Sequence, residues 1–229
     1  MEETGNPYRN ACIERGADYY EYENYVPTYA NCENIELVRS LGRGKYSEVF
    51  EAYDSQKEMK IVVKILKPVR KSKIMREIKI LESVRGGVNC INMISVCLDN
   101  MSKSICLVFE YLSETNFKDI YLKLNDEEIR YYTYQILKAL DFCHSKGIMH
   151  RDVKPMNIIV DHPKRIIKLI DWGLSEYYIP DRDYNVRVSS RPFKGPELLV
   201  DYQKYDYSLD IWSLGCLFGS MVCSSLLTR

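Results

Sequence analysis

His150-Arg151-Asp152-Val153-Lys154-Pro155-Met156-Asn157, followed by Asp171-Trp172-Gly173, is the stretch from which the rest of the sequence is read. It gathers two carboxylates, a lysine and a carboxamide. Moving a phosphoryl group needs a carboxylate beside the attacking hydroxyl, oxygen ligands for Mg²⁺, and a cation to offset charge on the group in flight. Asp152 can supply the first, Asn157 and Asp171 the second, and Lys154 the third. Chance does not readily produce so many spaced matches.

Upstream, Lys64 stands in the middle of the apolar run Ile61-Val62-Val63-Lys64-Ile65-Leu66. A lysine there costs desolvation energy unless an anion meets it. Nucleotide phosphates are one such anion and Glu77 is another. Glu77 follows Ile74 by three residues and precedes Leu81 by four, which puts it along the apolar face of a helix. The plain alternative is an edge strand with Lys64 pointing to water. Further upstream, Leu41-Gly42-Arg43-Gly44-Lys45-Tyr46-Ser47-Glu48-Val49 lies between two strand-like runs. Its glycines would let backbone amides approach phosphate oxygens, although paired glycines also make ordinary hairpin turns.

Short alternations from Ile35 to Leu66 predict antiparallel strands, and a helix follows, with Ser72 as its cap and Gly86-Gly87 at its end. Two strands are expected between Ile91 and Tyr111, around Asp99-Asn100-Met101-Ser102. A strong helix is expected from Asp126 to Lys146, with an apolar stripe through Ile129, Ile136, Leu137 and Leu140. Short strands should occupy 158–160 and 166–170. A mainly β region thus precedes a mainly α region.

With 229 residues, 46% of them hydrophobic, the chain can build a real core. Its formal charge is zero, so no global field draws it to nucleic acid or an anionic membrane. The eight cysteines form no C-x-x-C pair and sit largely in apolar runs, as buried thiols of a reducing compartment do. No secretory signal follows Met1, which favours nucleus and cytoplasm. Residues 211–228 carry no charge and include Gly215-x-x-x-Gly219, a pattern that fits either a membrane anchor or a buried helix. Residues 1–34 are rich in tyrosine and acid. They read either as a disordered tail or as a segment docked by its rings.

The pattern H-R-D-x-x-x-x-N with a D-F-G-like turn resembles the eukaryotic Ser/Thr protein kinases, and most closely the casein kinase II catalytic (alpha) subunit family. The likeness runs over nearly the whole chain from about Asp18, through Leu41–Ala52, Val62–Val69, Gly147–Pro155, Leu169–Leu174, Tyr184–Val188 and Phe193–Leu209. Ser47 stands where the third loop glycine is usual, and Trp172 where Phe is usual. Gly195-Pro196-Glu197 takes the place of the A-P-E that closes an activation segment. Asp210, opening Asp210-Ile211-Trp212-Ser213-Leu214-Gly215, should hydrogen-bond backbone amides of the catalytic loop.

The resemblance implies an α+β, two-lobed kinase fold: a small antiparallel β lobe with one helix, then a mainly α large lobe that stops short of its usual C-terminal end. Its segments would be a Tyr-rich region over 1–34, a nucleotide-binding lobe over 35–112 and a partial catalytic lobe over 113–229. It implies ATP as donor, with GTP also accepted, and Mg²⁺. Asp152 would take the acceptor proton, Lys154 steady the γ-phosphate, Lys64 and Glu77 form a pair, and Asn157 and Asp171 hold the metal. Residues 41–49 would cover the nucleotide, with Val62, Phe109, Glu110, Leu112 and Ile159 around it. Lys45, Arg187, Arg191 and Lys194 would favour acceptors followed by acidic residues. Between Lys60 and Arg76 there are seven basic residues and no acid, which a solvated face would also explain. Ser72 and Met75 stand where that family has lysines, and Pro192 replaces an aromatic residue. A dimeric regulatory beta subunit, giving a tetrameric holoenzyme, would dock near 93–108, with no nucleic acid or membrane partner. The alternative is a binding module, a truncated pseudokinase that holds nucleotide or the regulatory subunit with little turnover. The final residues 223–229 match nothing in the family.

Overall fold

Apolar and polar residues alternate in short runs between Ile35 and Leu66 and between Ile91 and Tyr111, and these runs fold into one sheet. The computed structural model describes residues 6–99, 102–112 and 115–227. The chain divides into two compact units, one holding 22–86 and 91–112, the other the residues before 22, 87–90 and those after 112.

In the first unit, β1 (Tyr29–Ala30), β2 (Ile35–Arg43), β3 (Ser47–Asp54), β4 (Met59–Leu66), β5 (Met93–Leu98) and β6 (Ile105–Glu110) form one sheet in the order β1-β5-β6-β4-β3-β2. Every pairing is antiparallel except that of β1 with β5. Because side chains alternate between faces, Ala52, Ile61, Val63, Cys97, Cys106 and Val108 collect on one side as a buried cluster. Residues 100 and 101 of the expected Asp99–Ser102 turn lie outside the described residues.

The helix Lys71–Ser83 buries Met75, Glu77, Ile78, Ile80 and Leu81 and packs against β5. Ser72 does not cap it. The helix begins at Lys71, two residues earlier than a Ser72 cap would place it, so Ser72 falls inside the first turn, where its hydroxyl is past the position that can receive the orphan amides. Gly86, at φ 71°, makes the left-handed exit that glycine favours.

In the second unit the helix Asp126–Ser145 starts with a reciprocal cap: Glu128 N–H donates to Asn125 Oδ1 at 3.0 Å, and Asn125 N–H donates to Glu128 Oε2 at 3.0 Å. A cap of this kind stabilises by ~1 kcal/mol. Its buried stripe is Ile129, Tyr132, Ile136, Leu140 and Cys143. Leu137, expected in that stripe, is 40% exposed, since it turns about 100° from Ile136. β7 (Ile148–Met149) pairs with β10 (Glu176–Tyr177), and β8 (Ile158–Asp161) with β9 (Ile166–Leu169).

The helix Ser208–Leu227 buries Leu209, Leu214, Leu217 and Met221. Along the same helix Ile211 and Phe218 are 46% and 42% exposed. Gly215 and Gly219 have open space where a Cβ would stand, so neither serves a close helix crossing within this unit. Among the described residues no helix is long and apolar enough to cross a membrane.

The N-terminal residues dock rather than trail. Tyr8 packs beside a buried cluster of Met149, Tyr178, Tyr184, Tyr205 and Tyr207, and its hydroxyl donates to Asp141 at 2.7 Å. The Tyr19 hydroxyl donates to Lys146 O at 2.8 Å, and its ring meets Tyr177 edge-on. In the other unit, Arg76 lies over the Tyr22 ring and Lys79 over that of Tyr25, whose hydroxyl bonds Glu82. All eight cysteines are free thiols; five are buried, Cys32 and Cys216 are half-buried and Cys223 is exposed.

Candidate active site

The register of the β8–β9 hairpin places Asn157 and Asp171 at its open end. Ile158 pairs with Leu169, so Asn157 and Ile170 face each other across the open end, and Ile170 N–H donates to Asn157 O at 2.9 Å. Asp171 is the next residue and is exposed, at φ 60°. The Asn157 amide nitrogen donates to Asp152 O and Oδ2, both at 2.8 Å, which aims its carbonyl oxygen away from Asp152. A carboxamide oxygen and a carboxylate are the hard donors Mg²⁺ prefers, and that ion typically takes few protein ligands and completes its shell with phosphate and water. Among the described residues no group of three or more His, Cys, Asp or Glu could hold a metal without such help. The donor set fits the ion.

Asp152 is buried, and three side chains converge on it. Lys154 Nζ lies 2.6 Å from Oδ2, Asn157 Nδ2 donates to the same oxygen, and the Ser190 hydroxyl donates to Oδ1 at 3.2 Å. Lys154 also donates to Ser190 Oγ at 3.0 Å. These partners hold the carboxylate in one rotamer. Ser190, 38 positions downstream, was missed by the sequence reading. A serine beside another serine carries no local signal, and only the path of the chain brings it here.

The loop itself is held from beneath. Asp210 accepts the backbone N–H of His150 at 2.8 Å and of Arg151 at 2.7 Å, and meets His144 Nε2 at 2.9 Å. Burial alone would push its carboxyl up, but the hydrogen bond and charge of His144, with the backbone N–H of His150, outweigh this and hold it below the usual carboxylate range. Arg151 has φ 65°, a left-handed conformation that a non-glycine residue keeps only when its surroundings impose it. Its side chain reaches Leu174 O at 2.7 Å and the Tyr205 hydroxyl at 3.0 Å. Asp152 N–H donates to His150 Nδ1 at 3.3 Å, so the proton of that ring sits on Nε2 and points to Ile170 O at 3.0 Å. Trp172 is 1% exposed and meets His150 edge-on, which keeps its turn packed inward.

In the other unit, Lys64 lies on β4 between β3 and β6, with Val49 and Leu107 as cross-strand partners. The edge-strand alternative is therefore excluded. Lys64 Nζ and Glu77 Oε1 are 2.8 Å apart, with side chains 13% and 10% exposed. Leu41–Val49 forms the β2–β3 hairpin, closed by Gly44 N–H donating to Ser47 O at 2.8 Å and by an Arg43–Glu48 ion pair at 2.9 Å. Gly42 pairs with Val49, and Lys45 lies over the Tyr46 ring at the tip. Val62 faces Phe109 across β4 and β6, Glu110 Oε1 accepts Asn92 N–H at 2.9 Å, and Leu112 is half-buried.

The remaining expected residues belong to the second unit. Ile159 is half-buried on β8. Arg187 and Arg191 are exposed, whereas Lys194 turns back to donate to Val188 O. Pro192 sits in the first turn of the short 3₁₀ helix Arg191–Phe193, where its fixed φ is tolerated.

The β lobe with its buried Lys–Glu pair and the helical lobe with its Asp–Lys–Asn cluster together define a phosphotransferase. The chain belongs to the protein kinase family: residues 35–229 match the protein kinase domain. Members of that family use a nucleotide donor and Mg²⁺.

Proposed function

We propose that the chain is a Ser/Thr protein kinase of the casein kinase II catalytic type, transferring the γ-phosphoryl of ATP, or of GTP, to hydroxyls followed by acidic residues. The observation that carries the chemistry is Lys154 Nζ at 2.6 Å from the buried Asp152 carboxylate. Asp152 orients the acceptor hydroxyl and takes its proton on a carboxylate already fixed by Ser190 at Oδ1 and by Asn157 at Oδ2. Lys154 offsets negative charge beside it. Asn157 and Asp171 would hold Mg²⁺, which when bound neutralises phosphate charge. Lys64, kept in place by Glu77, is the cation for the nucleotide phosphates. Residues 41–49, Val62, Phe109, Glu110, Leu112 and Ile159 fit the nucleotide-binding roles implied by the resemblance.

The acidic preference is supported by the exposed Arg187 and Arg191, which have no acidic side chain bonded to them in the described residues. Lys45 and Lys194 would assist. The same resemblance supports a dimeric regulatory subunit on the β5–β6 hairpin, and the free, largely buried thiols support residence in nucleus and cytoplasm.

The test is phosphate transfer from Mg-ATP to an acidic serine peptide by the purified chain, with Asp152→Asn as control. Transfer that disappears in the control supports the enzyme. Thermal stabilisation by nucleotide without any transfer would support a binding module instead.

A further inference from the structure

Three cysteines that the phosphoryl chemistry does not use lie together on one face of the sheet. Cys97 on β5 is the Cα partner of Cys106 on β6. On its other side Cys97 pairs with Ala30 of β1, two residues before Cys32. Cys97 and Cys106 share one buried apolar cluster, and Cys32 packs against it. Cys32 directs its sulfur toward β5, 4.0 Å from the carbonyl oxygen of Leu98, the residue after Cys97. Cys106 instead directs its sulfur along its own strand, 3.9 Å from Ser104 O. Cys97 is fully enclosed, whereas Cys32 is half-buried and is the one a solute reaches first.

We propose that Cys32 and Cys97 form a redox modification site, closed to a disulfide by a hydroperoxide such as hydrogen peroxide. Cys32 sulfur attacks a peroxide oxygen, the O–O bond breaks, and one water leaves as Cys32 becomes a sulfenic acid. Cys97 sulfur then attacks the sulfenic sulfur, the S–O bond breaks, and the Cys97 proton leaves with the hydroxide as a second water. Two thiols are oxidised and one peroxide is reduced. Burial raises the Cys97 thiol and pushes that of Cys106 up to about 11, so neither starts the reaction and the first step falls to Cys32. The bond would fasten the chain just after β1 to β5. That chain continues from Tyr22 and Tyr25, which dock on the helix carrying Glu77. Oxidation therefore restrains the segment braced against that helix.

The experiment exposes the folded full chain to a small excess of hydrogen peroxide, alkylates with N-ethylmaleimide and maps tryptic peptides. Tandem mass spectrometry separates Cys97 from Cys90, which shares its peptide. A Cys223→Ser background removes cross-linking through the exposed thiol. The expected product joins Cys32 to Cys97, is reversed by dithiothreitol, persists in Cys106→Ser and is absent from Cys32→Ser. A Cys97–Cys106 link, oxidation without an intramolecular link, or the same pairing yield from the urea-unfolded chain would each overturn the proposal.

Discussion

Asp210 holds Arg151 in place: its Oδ1 accepts the Arg151 backbone N–H at 2.7 Å, across 59 positions of sequence, while that residue sits at φ 65°. One fully buried carboxylate thereby sets the backbone from which Asp152 projects.

Replacing Asp210 by Asn should lower stability by about 2–4 kcal/mol, because buried charge-assisted bonds are lost while the backbone strain remains. The folded carboxyl lies below its ordinary value, so the stability it adds is present above the ordinary carboxylate range and is lost as pH falls through the lower folded value. Urea titrations of parent and variant should therefore converge as the pH drops below about 4. A gap that stays constant down to the acid limit would contradict this.

Asp152→Asn should reduce kcat by about 10²–10⁴-fold, the range for loss of a positioned general base. The variant should fold normally, since an amide occupies the same volume. Circular dichroism and nucleotide-dependent thermal shifts are expected to match the parent.

Ser190→Ala removes the hydroxyl that bridges Asp152 and Lys154. Hydrogen bonds to charged groups contribute about 1.5–3 kcal/mol, so activity should fall roughly 10- to 100-fold. Ser190→Thr keeps the hydroxyl and should restore most of it. Equal loss in both variants would mean that packing, not the hydrogen bond, is what matters.

Lys64→Met should cost about 3 kcal/mol of stability, as Glu77 is left buried without this partner. Adding Glu77→Leu should recover much of that stability without recovering phosphate transfer. Thermal melts and initial rates on the four members of the cycle separate the two effects.

The sheet-then-helices order, the Lys64–Glu77 relationship and the Asn157–Asp171 hairpin were legible in the sequence. Each rests on local periodicity or on a short connection. Strand alternation and helical spacing fix which face a residue occupies wherever the chain folds regularly. The Asp210 contacts were expected only through the family resemblance, and the structure supplies their geometry.

What the sequence alone determined is therefore the inventory and the local geometry: which groups exist, on which element, facing which way. Tertiary structure alone decided that Ser190 reaches Asp152, that Lys194 turns back to Val188, that residues 8–25 dock instead of trailing, and that Cys32 packs against the cluster holding Cys97. These contacts join residues far apart in the chain. Their energies come from packing and desolvation that arise only once distant segments share one interior, so no local pattern records them.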